Sequence, residues 1–289
     1  FKEAATWSGI WVSVTLAFAA ALWAWLDSTM GRDVANTKAL EFLTGYLIEK
    51  SLAVDNVFVW LMLFSFFAIP LELQKRVLTF GVLGAIVLRT IMIFAGAWLI
   101  TQFHWLLYVF GAFLILTGVK MWWAAGQEPS LDDNPALKLL RKVLPVSKQF
   151  DGEKFWTVEN GKKIATPLFM VICLVALTDV IFAVDSIPAI FAITTDTFIV
   201  YTSNIMAILG LRALYFALAA MVHRFHYLKY ALALVLVFIG SKIFVSDFVM
   251  DGDKFPPVLS LGVTFGLILG GIFFSLWKTR GQDQSHHTL

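Results

Sequence analysis

Acidic residues interrupt two otherwise apolar stretches of the chain. In each stretch an acid is followed, six positions later, by the aspartate of an Ala-Val-Asp sequence and then by a small neutral polar residue. Carboxylate, amide and hydroxyl oxygens suit hard divalent ions such as Mg²⁺, Ca²⁺ and Mn²⁺, and buried carboxylates also carry protons. The oxygen-bearing residues of the two stretches are Glu49, Asp55, Asn56, Asp179, Asp185 and Ser186.

The same stretches lack the ligands that softer metals prefer. No histidine adjoins the acids, and the single cysteine, Cys173, excludes both a Cys-x-x-Cys site and an internal disulfide. Zinc and copper favour thiolate and imidazole ligands. We therefore expect a hard cation as cargo and no catalytic cofactor.

Basic residues also fall inside apolar stretches. A charge at the bilayer centre costs at least about 2.5–3.5 kcal/mol, so such residues pair or mark a pathway. We expect Arg89 and Arg212 to pair with Asp55 and Asp185, and we assign them, with Lys50, to gating or ion pairs. These charges could instead serve only to hold the helices together; the symmetry of the acidic set favours a functional site. Two lysines nearer span ends are expected to snorkel to the interface: Lys120 and Lys242.

Helical spacing places some of these residues on a common face. Positions seven apart share a face of an α-helix, so Glu49 aligns with Asn56, and Asp179 aligns with Ser186. The second aspartate of each stretch would point elsewhere. Because a proline frees the carbonyl one turn before it, Pro188 suggests that the helix carrying the second stretch is broken, and by analogy also the first.

Composition requires that these acids lie in a membrane protein. Of 289 residues, 59% are hydrophobic and 15% are charged, and the mean hydropathy is +0.79. An ordinary soluble domain is about 45–50% apolar and about 25% charged. Secreted enzymes, nucleic-acid binders and disulfide scaffolds are excluded. We predict an all-α polytopic membrane protein with about eight transmembrane helices, at 7–26, 41–69, 78–100, 104–123, 166–194, 198–222, 228–247 and 257–277.

The distribution of Lys and Arg predicts the orientation. Residues 1–6, 70–77, 124–165, 223–227 and the tail fall on one side of an eight-span chain and carry most of the basic residues outside the spans. Only Arg32, Lys38 and Lys254 fall on the other side. The positive-inside rule then places the 124–165 loop and both ends in the cytoplasm.

The chain also repeats itself. Residues 41–123 form a first unit and 166–247 a second, separated by the 124–165 loop and followed by a final helix at 257–277. The Glu49 stretch matches the Asp179 stretch, Leu88-Arg89 matches Leu211-Arg212, and Gly118-Val119-Lys120 matches Gly240-Ser241-Lys242. Each unit has three spans, so the second must be inverted relative to the first. Inverted repeats of this kind are typical of secondary transporters, which bind substrate near the bilayer midplane.

The two stretches resemble the signature segments of the TerC family of bacterial integral membrane proteins. The resemblance rests on Glu49-Lys50-Ser51-Leu52-Ala53-Val54-Asp55-Asn56 and Asp179-Val180-Ile181-Phe182-Ala183-Val184-Asp185-Ser186, and it extends from Phe42 to the last span. The chain most resembles the Alx branch, whose inner-membrane proteins are linked to manganese export. Family members commonly begin with one further helix, and we expect a segment ahead of Phe1.

The resemblance implies an exporter of Mn²⁺ in the bacterial inner membrane, with Glu49, Asp55, Asp179 and Asp185 as ion-handling positions. The other partners we expect are the lipid bilayer and protons; Ca²⁺ or Mg²⁺ remain open as cargo, and no nucleic acid is expected. The alternative is a membrane assembly or metal-delivery protein without transport of its own. An intramembrane aspartyl protease is disfavoured because neither stretch has the Gly-x-Gly-Asp pattern, so we expect no enzyme activity.

Overall fold

The computed structural model of the chain describes residues 2–126, 135–219, 222–253 and 255–285. The described part is almost entirely helical. Its helices are α1 (Lys2–Met30), α2 (Arg32–Phe66), α3 (Leu71–Gln102), α4 (Leu106–Ala124), α5 (Pro135–Val143), α6 (Pro167–Ile193), α7 (Thr197–Leu209), α8 (Leu211–Leu218), α9 (Leu228–Phe248) and α10 (Pro257–Ser285). A 3-10 turn at Val222–Phe225 leads into α9, and a short hairpin pairs β1 (Trp156–Glu159) with β2 (Lys162–Ala165).

Six of these helices are long and apolar enough to cross a membrane: α1, α3, α4, α6, α9 and α10. The pair α7 and α8 makes a seventh if it is one span with a bend of 43°. The 35-residue α2 is not among them; it extends about 52 Å at about 1.5 Å per residue. An all-α polytopic membrane protein is thus confirmed, whereas eight spans and an inverted repeat stay predictions.

The break in the helices is not where Pro188 suggested. Both α2 and α6 are continuous through their acidic stretches, and Pro188 lies inside α6. The bend falls instead at Gly210, between α7 and α8. A Cβ atom at Gly210 would lie only 2.5 Å from Lys50 Nζ, so the absence of a side chain lets α2 approach the bend. The expectation of broken second and fifth spans is therefore wrong.

Helices of the first predicted repeat pack against helices of the second. The backbones of α4 and α9 approach closely, since a Cβ atom on Gly240 would lie 2.6 Å from the carbonyl oxygen of Gly111. In addition α3 packs on α6, α2 packs on α7, and α2 and α6 contact each other. These contacts bring the acidic stretches of α2 and α6 to the middle of the bundle.

The described part of the polar segment between α4 and α6, from Pro135 onward, is folded and attached to the bundle. Leu137 and Leu140 of α5 are buried in the same apolar cluster as α2, α3 and α6. Arg76, at the start of α3, donates a hydrogen bond of 3.1 Å to Glu153 and its guanidinium lies 4.9 Å from the ring of Phe155. The segment and the α2–α3 connection therefore share one end of the bundle, as their assignment to one side of the membrane requires.

Candidate functional site

The centre of the site is Arg89, in the middle of α3 and 1% exposed. Its Nε and Nη2 atoms donate hydrogen bonds of 2.8 Å each to the two carboxylate oxygens of Asp179 on α6. This is the bidentate geometry in which a guanidinium and a carboxylate bind most strongly. It ties the first repeat to the second through a charged pair without access to water.

The same guanidinium also binds the acid of the first repeat. Its Nη1 atom donates to Glu49 Oε1 on α2 and, at 3.0 Å, to Asn204 Oδ1 on α7. Asn204 in turn donates from Nδ2 to Glu49 Oε2 at 3.3 Å. The two matching acids of the repeats thus meet on one arginine, and an amide fixes the arrangement from the side.

The neutral residues that follow the acids line a small cavity beside this network. It has a volume of about 20 Å³, about the space that one water molecule needs. Asn56 donates at 3.4 Å to Asp179 Oδ1, but within the described chain its Oδ1 atom has no hydrogen-bond partner. The buried hydroxyl of Ser186 likewise has none there. Two residues with an unpaired oxygen therefore line a cavity that Glu49 and Arg89 also line.

The charges of this network do not balance. Glu49 and Asp179 contribute two negative charges and Arg89 one positive charge, and all three are at most 2% exposed. A buried charge without compensation is costly. With both carboxyl groups ionised, the network of described side chains is one positive charge short of neutrality, and a proton or a bound cation would supply it.

Among the described side chains the partners of Arg89 are Glu49 and Asp179, since the face of α2 that carries Glu49 and Asn56 is turned toward α3. The predicted pairing of Arg89 with Asp55 stays a prediction. The side chains of Asp55 and Asp185 lie outside the described residues, although their backbones belong to α2 and α6. Their predicted role stays a prediction.

Arg212 and Lys50 lie away from the network. Arg212 is exposed and donates at 3.0 Å to Thr79 Oγ1. Lys50 donates at 3.4 Å to the carbonyl oxygen of Ala207, in the last turn of α7. Lys50 therefore binds the C-terminal carbonyls of a helix, where a cation is favoured, and gating by either residue stays a prediction.

Sequence reasoning missed Asn204. The signal was present, since an amide inside the apolar span 198–222 must find hydrogen-bond partners. Of the four acids predicted to converge, Glu49 and Asp179 meet on Arg89, and the side chains of the other two lie outside the described residues. The described side chains contain no group of three His, Cys, Asp or Glu residues that could hold a metal ion. In this arrangement Arg89 occupies the place between the acids that a cation would take.

Comparison with known proteins gives a family and relatives of nearly full length. Residues 34–283 match the integral membrane protein TerC family. A relative from Escherichia coli strain K12, whose name describes it as a candidate membrane-bound redox modulator, Alx, is 57% identical over 283 residues, covering 98% of this chain and 87% of the relative. A protein of the same name from Photorhabdus laumondii is 53% identical over 280 residues, covering 97% and 86%. A membrane protein of Rickettsia bellii is 44% identical over 284 residues, covering 98% and 90%. No solved structure matches.

Proposed function

Because this chain belongs to the TerC family of integral membrane proteins, we propose that it is a secondary transporter that exports Mn²⁺ from the cytoplasm by alternating access. The observation that carries the proposal is the buried network in which two carboxylates share one guanidinium. A network one positive charge short of neutrality, with unpaired oxygens beside it, favours a cation over an anion or a neutral solute.

The donor set supports a hard divalent ion. Glu49 and Asp179 offer carboxylate oxygens, and Asn56 and Ser186 offer an amide and a hydroxyl oxygen that have no partner in the described chain. Such oxygens, without sulfur, suit Mn²⁺, Mg²⁺ and Ca²⁺. Asp55 and Asp185, in the same stretches of α2 and α6, would complete the set as further ligands.

In the proposed cycle Arg89 and the ion compete for the same acids. Without an ion, Arg89 binds Glu49 and Asp179 and keeps α3 against α2 and α6. An arriving Mn²⁺ takes at least one carboxylate, and the guanidinium shifts toward the other acid and Asn204. This gives the ion a differential affinity for two arrangements of the helices, which is what a population shift requires.

Proton coupling follows from the same charge count. When Mn²⁺ leaves, a proton on one carboxylate restores neutrality at a lower cost than a bare buried charge. Protons entering as Mn²⁺ leaves would make the protein an antiporter, whose export responds to the pH gradient.

Flux measurements in proteoliposomes test this function. Mn²⁺, Ca²⁺ and Mg²⁺ fluxes would be compared with and without a pH gradient for the unmodified chain, Asp179→Asn and the double variant Asp55→Asn/Asp185→Asn. Asp179→Asn removes a carboxylate but leaves the Arg89–Glu49 pair in place. Loss of a charged hydrogen-bond acceptor is worth about 1.5–3 kcal/mol, or roughly 10–100-fold in Mn²⁺ flux.

The matched control is Asp27→Asn, which removes an acid whose ion pair with Arg32 is at the surface, and it should retain full flux. Size-exclusion chromatography would check that each variant is folded. Folded protein that moves none of the three ions would contradict the proposal and favour an assembly or metal-delivery role. Equal fluxes for Asp179→Asn, the double variant and the unmodified chain would contradict the site.

A further inference from the structure

A second, larger cavity lies toward the other end of the bundle from the polar segment. Its volume is about 610 Å³, and it opens among the N-terminal half of α2, the C-terminal ends of α6 and α9, and the α3–α4 connection. We refer to it as the vestibule. Many side chains on its wall are charged or hydroxylated, among them Lys38, Glu41, Thr44, Lys242, Ser246 and Asp247.

The vestibule holds charges of both signs. Glu41 is 6% exposed and accepts a hydrogen bond of 3.4 Å from Lys38, which also pairs with Asp196 at 3.2 Å. Lys242 is 7% exposed and donates at 3.2 Å to Ser260 Oγ. Charged walls in a space of this size hold water, since the cavity is large enough for several water molecules at about 30 Å³ each.

An apolar layer separates the vestibule from the small central cavity, and α6 shows the order most directly. Ala192 lines the vestibule, Ser186 lines the central cavity, and Ala189 between them is fully buried in an apolar cluster. The distance from Ser186 to Ala192 is about 9 Å along the helix, at about 1.5 Å per residue. The barrier on α6 is therefore only about two turns thick.

The other helices around the two cavities repeat this order. On α2, Ile48 lies between Thr44 of the vestibule and Leu52 of the central cavity. Equivalent positions on α9 and α4 are filled by residues of the same buried cluster. We define the apolar layer by its four fully or almost fully buried members: Ile48, Leu114, Ala189 and Ile239.

We propose that the vestibule is the outer mouth of the ion pathway, where hydrated divalent cations are released, and that the apolar layer is the gate between it and the central acids. The proposal rests on the transport function above and adds to it the route and the side from which the site opens. A hydrated ion fits the vestibule but cannot cross a layer without polar groups, because it would lose its water ligands there. The layer must part for release.

Four positions, three on α6 and one just past its end, test this arrangement, because they lie three residues apart along the pathway. From the vestibule inward they are Thr195, Ala192, Ala189 and Ser186. Each would be changed to cysteine in a Cys173→Ala chain, which removes the natural thiol. Intact bacteria carrying the full chain would be treated with a charged, membrane-impermeant methanethiosulfonate, and the modified fraction would be followed over time.

We expect fast modification at Thr195→Cys and Ala192→Cys. Modification at Ala189→Cys and Ser186→Cys should be about 10–1,000-fold slower, as for sites exposed only in a minor state populated at about 0.1–10%. Adding Ile48→Ala should speed modification of Ser186→Cys and leave Thr195→Cys unchanged. Equal rates at all four positions, or no effect of Ile48→Ala, would overturn the gate. A Thr195→Cys chain that resists the reagent, while Ser28→Cys near the end of α1 reacts, would overturn the vestibule as the outer mouth.

Mn²⁺ separates this inference from the proposed function. If the chain exports Mn²⁺, loading the cells with Mn²⁺ should raise the modification rate of Ala189→Cys, since the layer parts more often, without changing Thr195→Cys. A steep profile along α6 that does not respond to Mn²⁺ would leave the vestibule and the gate standing and contradict Mn²⁺ export. A flat profile in a chain that shows Mn²⁺ flux in proteoliposomes would contradict the gate and leave the export function standing.

Discussion

Arg89 and Arg212 occupy matching positions in the two repeats, yet they lie in opposite environments. Arg89 is 1% exposed and binds the acids of both repeats, whereas Arg212 is exposed and donates to the hydroxyl of Thr79. The matching acids, by contrast, share one environment, since Glu49 and Asp179 bind the same guanidinium. The repeats therefore share one cation between two acids instead of building two equal ion pairs.

This inequality has an electrostatic consequence. Two buried arginines would neutralise Glu49 and Asp179 and leave nothing for a transported cation to do. With one arginine the network keeps a negative charge, which a proton or an ion can balance. The predicted repeats thus share the acids, while the difference in burial of the two arginines leaves the uncompensated charge on which the proposed site depends.

The largest loss of stability should come from substituting the buried arginine, Arg89. Arg89→Met leaves two carboxylates uncompensated in the bundle, and breaking a buried ion pair costs about 3–5 kcal/mol. Arg212→Met, at the exposed position, should change stability by no more than about 0.5 kcal/mol. Thermal unfolding of the detergent-solubilised proteins would measure both.

A compensating variant sharpens this test. If uncompensated charge is the cause, Arg89→Met should regain stability when Glu49→Gln and Asp179→Asn are added, because the amides carry no charge. Equal stabilities of Arg89→Met and Arg212→Met would show that the two arginines are equivalent.

An intermediate effect on stability is expected for Lys242, compared with Lys120 at the matching position of the first predicted repeat. Both were predicted to snorkel; Lys120 is exposed, but Lys242 is buried in the vestibule wall with its Nζ on Ser260. Lys242→Met would leave the buried hydroxyl of Ser260 unpaired, at about 1–3 kcal/mol, whereas Lys120→Met should stay within about 0.5 kcal/mol. Unfolding midpoints that shift equally for both would contradict the difference in their environments.

The smallest effects on stability should come from substituting Ser186 and Asn56, the neutral residues beside the central cavity. The two substitutions should change stability in opposite directions. Ser186→Ala removes a buried hydroxyl without a partner in the described chain, so the protein should gain up to about 1 kcal/mol. Asn56→Ala also removes the 3.4 Å bond to Asp179 and should lose stability. Mn²⁺ binding, followed by the loss of the free-ion signal in electron paramagnetic resonance, should weaken in both variants. Ser186→Ala that binds Mn²⁺ as tightly as the unmodified chain would exclude its hydroxyl as a ligand.

Helical spacing predicted which residues of α2 share a face, but not which side chains this face contacts on α3. The seven-residue interval correctly placed Glu49 and Asn56 at one cavity, because the period of an α-helix is fixed by its backbone. The partners that Arg89 has among the described side chains, Glu49 and Asp179, were not predicted. Partner choice depends on how α2 and α3 are rotated against each other, and no local pattern in the sequence encodes that rotation.

Two local features were not predicted from the sequence. The 124–165 segment was predicted as a loop, yet its described part contains the short helix α5 and the hairpin. The hairpin was missed although Asn160-Gly161, both with positive φ, is the residue pair that a tight two-residue turn favours. The bend at Gly210 was also missed, because a single glycine in an apolar run is a much weaker helix breaker than a proline.

The Arg89 network also constrains how the protein is made. Its four members are far apart in the chain: Arg89 lies 40 residues after Glu49, 90 before Asp179 and 115 before Asn204. At about 5–20 residues per second, roughly 5–18 s pass between synthesis of Arg89 and synthesis of Asp179. During that interval the first repeat must remain in the membrane with its central arginine only partly satisfied. Biogenesis of the first half therefore ends only when the second half emerges from the ribosome and docks against it.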